Sequence, residues 1–505
     1  MASSKSVMKL GALLSPWLAI DKLPLELKES QIDAITLDSR EVTAGSLFTA
    51  VNGHTVDGRR FIETAIKAGA SAIIAEADGI ANEGDIALKD GVYIIYLQDL
   101  NQKLSAIAGR FFDHPDQKQA LYAVTGTNGK TTISQLLAQW ANLVGYKAGV
   151  MGTTGNGLLI DLKPAANTTG SAIEIQQTLA QLVEQGADFA AMEVSSHGLV
   201  QGRIRDLHFK ASIFTNLSRD HLDYHGSMQN YADAKKSLFT EHQSGIAIIN
   251  ADDAVGASWL KDIPSAVAVA IEPQAVANHA GLKLWATDVR FSTQGVTIEF
   301  DSSWGHGKFT APLVGSFNAT NLLLALATLL ATNHSMADLL EKAPQLQAVI
   351  GRMEVFQDTD KAMMVVDYAH TPDALEKALQ ALRVHCDGKL WCIFGCGGDR
   401  DSGKRPMMAE IAERLSDCII LTDDNPRSED PNRIVEDMLA GLISPESAII
   451  IHDRETACRH ALTHASCQDI ILVAGKGHED YQILAERTIH YSDRETVAAL
   501  LKELA

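Results

Sequence analysis

The stretch Gly126-Thr127-Asn128-Gly129-Lys130-Thr131-Thr132 constrains this chain more than any other. An apolar run, Leu121-Tyr122-Ala123-Val124, leads in. A helical pattern from Ile133 to Val144 leads out, with Leu136, Leu137, Trp140 and Val144 on one face. Strand, glycine turn and helix in that order aim successive N–H groups and a helix N-terminus into one concavity, which suits phosphate oxygens. Lys130 is placed to reach the β- and γ-phosphates of a nucleotide, and Thr131 or Thr132 to offer a hydroxyl to Mg²⁺. The glycine spacing is shorter than in the generic G-x-x-x-x-G-K-[ST] loop, so only the second half of that pattern is met.

A chain of 505 residues exceeds one ordinary core, and at about 150 residues per domain it is expected to fold as roughly three. The net charge of −20 argues against a nucleic-acid binder and against adhesion to an anionic membrane. An anionic ligand must then be held by local cations such as Arg59-Arg60, Arg203 with Arg205, Arg400 with Lys404 and Arg405, or Arg427; each is otherwise a solvated surface charge. No stretch approaches the roughly 20 apolar residues that cross a bilayer. Pro16 breaks the short apolar segment after Lys5 and Lys9, so no signal peptide is read. The six cysteines form no C-x-x-C pair and read as reduced thiols of a cytosolic protein.

The first hundred residues read as a mixed α/β unit: strands at 46–51, 72–75 and 92–97, a helix at 60–68, and donor-rich loops at 37–40 and 52–58. A helix over 100–112 ends at His114-Pro115. Buried strands then recur at 189–194, 211–216 and 246–250, implying a largely parallel sheet with Glu193 and Asn216 at its carboxyl edge, where ligands gather. Residues 282–314 read as short antiparallel strands. In the last third, strands at 363–366, 390–394, 418–421 and 470–473 each exit into a loop bearing glycine, acid or arginine, as in a doubly wound domain with a binding edge; helix capping explains some of the same residues.

Three residues in the middle of the chain stand out chemically. Glu193 closes a nearly all-apolar strand, and a buried unpaired carboxylate is costly, so a cation, naturally Mg²⁺, is its expected partner. His221 is a second candidate ligand, although a lone histidine is more often structural. Helical spacing puts Lys235 on the side of Tyr231, Leu238 and Phe239 while Lys236 turns outward. An inward lysine tends to lose its proton and become nucleophilic, even toward carbon dioxide; snorkelling or pairing with an acid is the commoner fate of such a pattern.

Taken in order, Gly126 to Thr132, Glu193-Val-Ser-Ser-His197, Asn216-Leu-Ser-Arg-Asp-His-Leu-Asp223, Gly315-Ser-Phe-Asn318 with Asn321, Gly351-Arg352 and Asp367-Tyr-Ala-His-Thr-Pro372 resemble the motif set of the Mur ligases over nearly the whole chain. The short phosphate loop fits, since that family uses Gly-Thr-Asn-Gly-Lys. The chain is most similar to members adding the third stem-peptide residue, and Asp424-Asn425-Pro426-Arg427 to those adding meso-2,6-diaminopimelate instead of lysine.

The resemblance implies three α/β domains: an N-terminal mixed α/β uridine-nucleotide domain (1–98), a central P-loop ATPase domain with a mostly parallel sheet (99–347), and a C-terminal Rossmann-like amino-acid domain (348–505). It implies that Leu37, Ser39, His54, Thr55 and Val56, with Asn167, Thr168, Thr169, Ser195, Gln201 and Arg203, hold UDP-N-acetylmuramoyl-L-alanyl-D-glutamate. Gly126, Thr127, Asn128, Gly129, Lys130, Thr131, Thr132, Asn318, Arg352, Asp367 and His370 would serve ATP. Thr131, Glu193, His221 and a carboxylated Lys235 would organise Mg²⁺. Arg400, Asp424, Asn425, Pro426, Arg427, Gly475 and Glu479 would receive diaminopimelate, whose two carboxylates and two ammonium groups call for arginines and acids together. The implied protein is a monomeric bacterial cytoplasmic ligase of peptidoglycan synthesis, with Lys130, Lys235, Glu193 and His221 at the chemistry. The competing readings are a lysine-adding homologue, a folylpolyglutamate synthetase-like ligase, and a nucleotide-switched binding protein that ligates nothing.

Overall fold

The computed structural model describes residues 7–53, 56–292, 295–358, 360–485 and 487–503. The chain divides into two compact units: Met1–Val269 with Ala277–Lys283 and Leu324–His334, and Ala270–Val276 with Leu284–Leu323 and Ser335–Ala505.

Besides the antiparallel pair Met8–Lys9 and Gln31–Ile32, the first unit holds two larger sheets among the described residues. In the smaller, strands Ala34–Thr36, Ser46–Ala50, Ala72–Glu76 and Val92–Leu97 lie side by side in parallel, and Ile86–Lys89 closes the edge antiparallel. Ser46–Ala50 and Ala72–Glu76 are buried throughout, as expected of strands covered on both faces. The expected helix at 60–68 is a short 3₁₀ turn, Gly58–Phe61, followed by the helix Ile62–Lys67, because Asp57 caps the N–H of Arg59 and starts the turn early. Helix Leu100–Phe111 packs Leu100, Leu104, Ile107 and Phe111 into the same core as Leu47, Ile74 and Leu97.

The larger sheet of this unit runs Asp161–Lys163, Gly155–Leu158, Ala148–Gly152, Phe189–Glu193, Ala120–Thr125, His208–Phe214, Gln243–Asn250 and Val267–Ala270. Its central pairs are parallel, and only the 148–163 edge is antiparallel. Register places the chemistry. Glu193 pairs with Val124 and Phe214 with Thr125, so Glu193 and the Thr215-Asn216 step flank the start of the glycine loop on either side. Leu121, Ala123, Met192, Leu179 and Leu238 form the core beneath.

In the second unit, Lys283–Ser292, Gly295–Ser302 and Gly307–Ala311 form the expected antiparallel meander. A six-stranded sheet runs Glu354–Phe356, Met363–Asp367, Ile470–Ala474, Leu390–Phe394, Cys418–Leu421 and Ile449–Ile450, parallel except for its first strand. Separate cores fill its two faces, one around Leu375, Leu379, Phe394 and Met408, the other around Val366, Ile393, Ile471 and Val497. Asp367 pairs with Ala474 and Phe394 with Leu421, so the loops that follow emerge as neighbours at one edge. The cysteines are free, and no helix among the described residues is long and apolar enough to cross a membrane.

Candidate active site

The glycine loop is shaped by two conformations that side chains resist. Gly126 has φ +146, and a Cβ there would overlap the Thr215 hydroxyl; Gly129 has φ 86 and opens the helix Lys130–Leu143. Asn216 holds the turn from the neighbouring strand. Its carbonyl accepts from Thr127 N at 2.8 Å and its Oδ1 from Asn128 N at 3.0 Å, while Thr215 Oγ1 donates to Asn128 O at 2.5 Å. Lys130 folds back onto the loop, its Nζ donating to Gly126 O at 3.1 Å and Thr127 O at 2.9 Å. A phosphate in the cradle offers that ammonium stronger acceptors, since hydrogen bonds to an ionised oxygen exceed those to a neutral carbonyl.

Glu193 is 1% exposed, and Thr153 donates to it from both its N–H (2.8 Å) and its hydroxyl (3.3 Å). Gly152 approaches so closely that a Cβ would overlap the carboxylate. Burial raises the Glu193 pKa, opposed first by the Lys130 charge and also by bonds from Thr153 and the Thr131 hydroxyl. Lys235 faces inward as its spacing requires: it is 1% exposed, donates to Gly126 O at 2.9 Å and lies 4.7 Å over the Tyr231 ring. Burial drives its pKa well down and the Lys130 charge adds to the fall. Lys236 beside it reaches Asp262 at the surface.

His221 sits in the left-handed region with φ 52, its Nε2 3.4 Å from Asp220 Oδ2 and its ring 4.9 Å from that of His197. No three His, Cys, Asp or Glu side chains converge on one metal position among the described residues. Glu193 with the Thr131 hydroxyl nonetheless gives hard oxygen donors beside a phosphate cradle, the donor set Mg²⁺ takes when phosphate and water complete its shell. As an amine Lys235 offers only nitrogen, a poor donor for Mg²⁺; as a carbamate it would supply oxygen.

The residues expected for the muramoyl dipeptide form one connected group. Thr169 Oγ1 donates to Glu193 O and accepts from Ser195 N, both at 2.9 Å, and Thr168 Oγ1 lies 3.2 Å from Thr153 Oγ1. Arg203 donates through Nε to Gln201 Oε1 at 2.9 Å and through Nη1 to Thr169 O at 2.6 Å, and Gln201 donates to the Tyr224 hydroxyl at 3.3 Å. Asn167 lines a cleft of about 250 Å³ with Asn156, Gln177 and Gln181, amide groups suited to sugar or peptide polar atoms. Leu37 and Ser39 follow strand Ala34–Thr36, with Ser39 buried; Val56 is exposed on a loop closed by Gly53 N to Val56 O at 3.2 Å. His54 and Thr55 lie outside the described residues.

In the second unit, Asn318 donates to Val314 O at 2.7 Å and accepts from Asn321 at 3.0 Å. Met353 N donates to Asp367 at 2.8 Å, and burial raises the Asp367 pKa. The Arg352 guanidinium lies 4.9 Å over the Tyr368 ring, and His370 Nδ1 is 2.8 Å from Tyr368 O. Asp424, Asn425, Gly475 and Glu479 gather around Lys476, which the sequence reading passed over although it stands between two glycines after a buried strand. Lys476 is 0% exposed: its Nζ reaches Tyr481 O at 2.8 Å, Asn425 at 3.2 Å, Asp424 at 3.4 Å and Glu479 at 3.6 Å. Arg427, with φ 54, donates to Gly398 O at 2.9 Å, and Pro426 precedes it; Arg400 is exposed, its Nη1 on Asp399 O at 3.2 Å. Arg405, grouped above with the candidate anion-binding cations, is instead buried with its charge met by Glu429 and Asp437.

Residues 31–112 match the Mur ligase family catalytic domain, 124–329 the Mur ligase middle domain, and 351–477 the Mur ligase glutamate ligase domain. The chain belongs to the Mur ligase family. It is 60% identical over 494 residues to a Vibrio parahaemolyticus protein named UDP-N-acetylmuramoyl-L-alanyl-D-glutamate--2,6-diaminopimelate ligase, covering 98% of each chain, and 58% identical to the Vibrio cholerae protein of the same name, again over 98% of each. A solved structure described by that name is 35% identical, with a TM-score of 0.75 over 99% of both chains.

Proposed function

We propose that this Mur ligase joins meso-2,6-diaminopimelate to UDP-N-acetylmuramoyl-L-alanyl-D-glutamate at the expense of ATP. The near-complete identity span with relatives named for that reaction carries the reading, and the acid-and-arginine edge of the second unit agrees with it. The segments 1–98, 99–347 and 348–505 are assigned to the nucleotide-sugar peptide, to ATP and to the amino acid respectively.

The D-glutamate carboxylate attacks the γ-phosphorus, a P–O bond forms, and ADP leaves. Lys130 exchanges its loop carbonyls for phosphate oxygens and neutralises charge on the transferring group, while Gly126 to Gly129 supply backbone N–H donors. Mg²⁺, held by Thr131 and Glu193 with His221 and carboxylated Lys235, would add Lewis-acid stabilisation of the phosphates. Arg203, fixed by Gln201 and Thr169, orients the dipeptide. Asn318, Arg352, Asp367 and His370 are assigned to the nucleotide.

The resulting acyl phosphate is attacked at its carbonyl carbon by an uncharged diaminopimelate amine; an amide forms, and phosphate and a proton leave. Arg400 and Arg427 are assigned to the amino acid's carboxylates and Asp424, Asn425 and Glu479 to its ammonium groups. The reading places the chain in the bacterial cytoplasm, where its nucleotide substrates are. The test is substrate selection: with the muramoyl dipeptide and ATP, meso-diaminopimelate should yield a tripeptide product of the expected mass at far lower concentration than L-lysine. Equal use of both would replace this reading with the lysine-adding one.

A further inference from the structure

Between the residues assigned to nucleotide and to amino acid stands one aromatic side chain that touches both. Tyr368 offers its ring face to the Arg352 guanidinium at 4.9 Å and donates its hydroxyl to Glu479 Oε1 at 3.3 Å. The other Glu479 oxygen accepts from Asn425 Nδ2 at 3.4 Å and lies 3.6 Å from Lys476 Nζ. A ring under a guanidinium and a hydroxyl on a carboxylate are separable interactions of one residue, the first electrostatic on the π-face, the second directional.

The backbone around Tyr368 leaves little slack. A Cβ on Gly351, which has φ 65, would overlap His478 N, and a Cβ on Gly477 would come within 2.6 Å of Tyr368 Cβ and 2.7 Å of Gly351 O. His478 also packs its ring 5.1 Å from that of Tyr368. The Gly351-Arg352 turn, Tyr368 and the Gly475–Glu479 loop therefore touch main chain to main chain.

We propose that Tyr368 is a positioning residue that couples the two substrates: nucleotide engaging Arg352 fixes the ring, and the ring's hydroxyl fixes Glu479 for the amino acid's ammonium group. Coupling of this kind is reciprocal, so bound amino acid strengthens nucleotide binding by the same factor. The inference rests on the functional reading above, and its test separates the two.

Tyr368→Phe keeps the ring under Arg352 and removes only the hydroxyl. Loss of one hydrogen bond to a carboxylate should raise the KM for diaminopimelate about fivefold to tenfold and leave the KM for ATP within about twofold. Tyr368→Leu, which removes the ring as well, should raise both. In calorimetry with a non-hydrolysable ATP analogue, the gain in amino-acid affinity caused by nucleotide should be present in the wild type and lost in Tyr368→Phe. Glu479→Gln is the control for the site itself. If it leaves the amino-acid KM unchanged, the assignment of Glu479 falls; if it raises that KM while Tyr368→Phe changes nothing, or changes both KM values equally, the coupling role is overturned and the site assignment stands.

Discussion

The Lys235 Nζ and the Gly126 carbonyl oxygen lie 2.9 Å apart, on the carbonyl that Lys130 also reaches at 3.1 Å. Two lysines share one acceptor at the start of the phosphate loop, and only Lys235 is fully buried. Burial and the nearby Lys130 charge both weaken its hold on a proton.

Lys235→Ala should lower ligase activity by about a hundredfold or more, as loss of a metal-organising group does. Short carboxylates such as acetate should restore part of it by occupying the place of the carbamate, and wild-type enzyme depleted of carbon dioxide should regain activity on adding bicarbonate. Full activity of the alanine variant would end the carbamate assignment.

Gly126→Ala places a methyl against the Thr215 hydroxyl at a φ of +146. The expected cost is about 2–4 kcal/mol in urea unfolding, from strain and overlap together. Nucleotide binding by calorimetry should disappear even where the fold survives. A variant that binds ATP normally would show that the turn does not need glycine.

Arg427→Ala should raise the diaminopimelate KM by about tenfold to a hundredfold, the range for losing a charge-assisted contact to carboxylate. The ATP KM should stay within about threefold. Equal effects on both would remove Arg427 from the amino-acid site.

His385 carries a pH dependence of stability. Its Nε2 accepts from Gly315 N at 2.9 Å and its Nδ1 lies 2.8 Å from Ser292 O, which fixes the neutral ring with the proton on Nδ1. Burial lowers its pKa. The folded state then binds fewer protons than the unfolded state below the ordinary histidine value. Stability present above that value is lost as pH falls toward the folded-state one, by at most about 1.4 kcal/mol per pH unit. Melting temperatures between pH 7.5 and 5.5 should fall more steeply in the wild type than in His385→Gln; parallel slopes would remove this histidine from the account.

Much of the first unit's site was legible because short-range rules decide it. The loop follows from two glycines between an apolar run and a helix, Glu193 from an acid ending a buried strand, and the inward Lys235 from helical spacing. What spacing cannot show is register across strands far apart in sequence. Thr153 on Glu193, Thr215 under Gly126 and Asn216 behind Asn128 are brought together only by the pairing of four parallel strands. Lys476 was missed for another reason. A lysine between glycines reads as solvated, and only the Asp424, Asn425 and Tyr481 around it show otherwise. Arg405 fails in the opposite sense: beside Arg400 and Lys404 it reads as part of a basic cluster, yet Glu429 and Asp437 neutralise it.

The central claim is that phosphate transfer here serves amide formation and does not drive a switch. Phosphate release measured with ATP alone, with each pair of substrates, and with the complete set decides it. Release should be near background until the muramoyl dipeptide, diaminopimelate and ATP are all present, and should then match tripeptide product one for one. Steady release with ATP alone, unchanged by the other two, would contradict the ligase account.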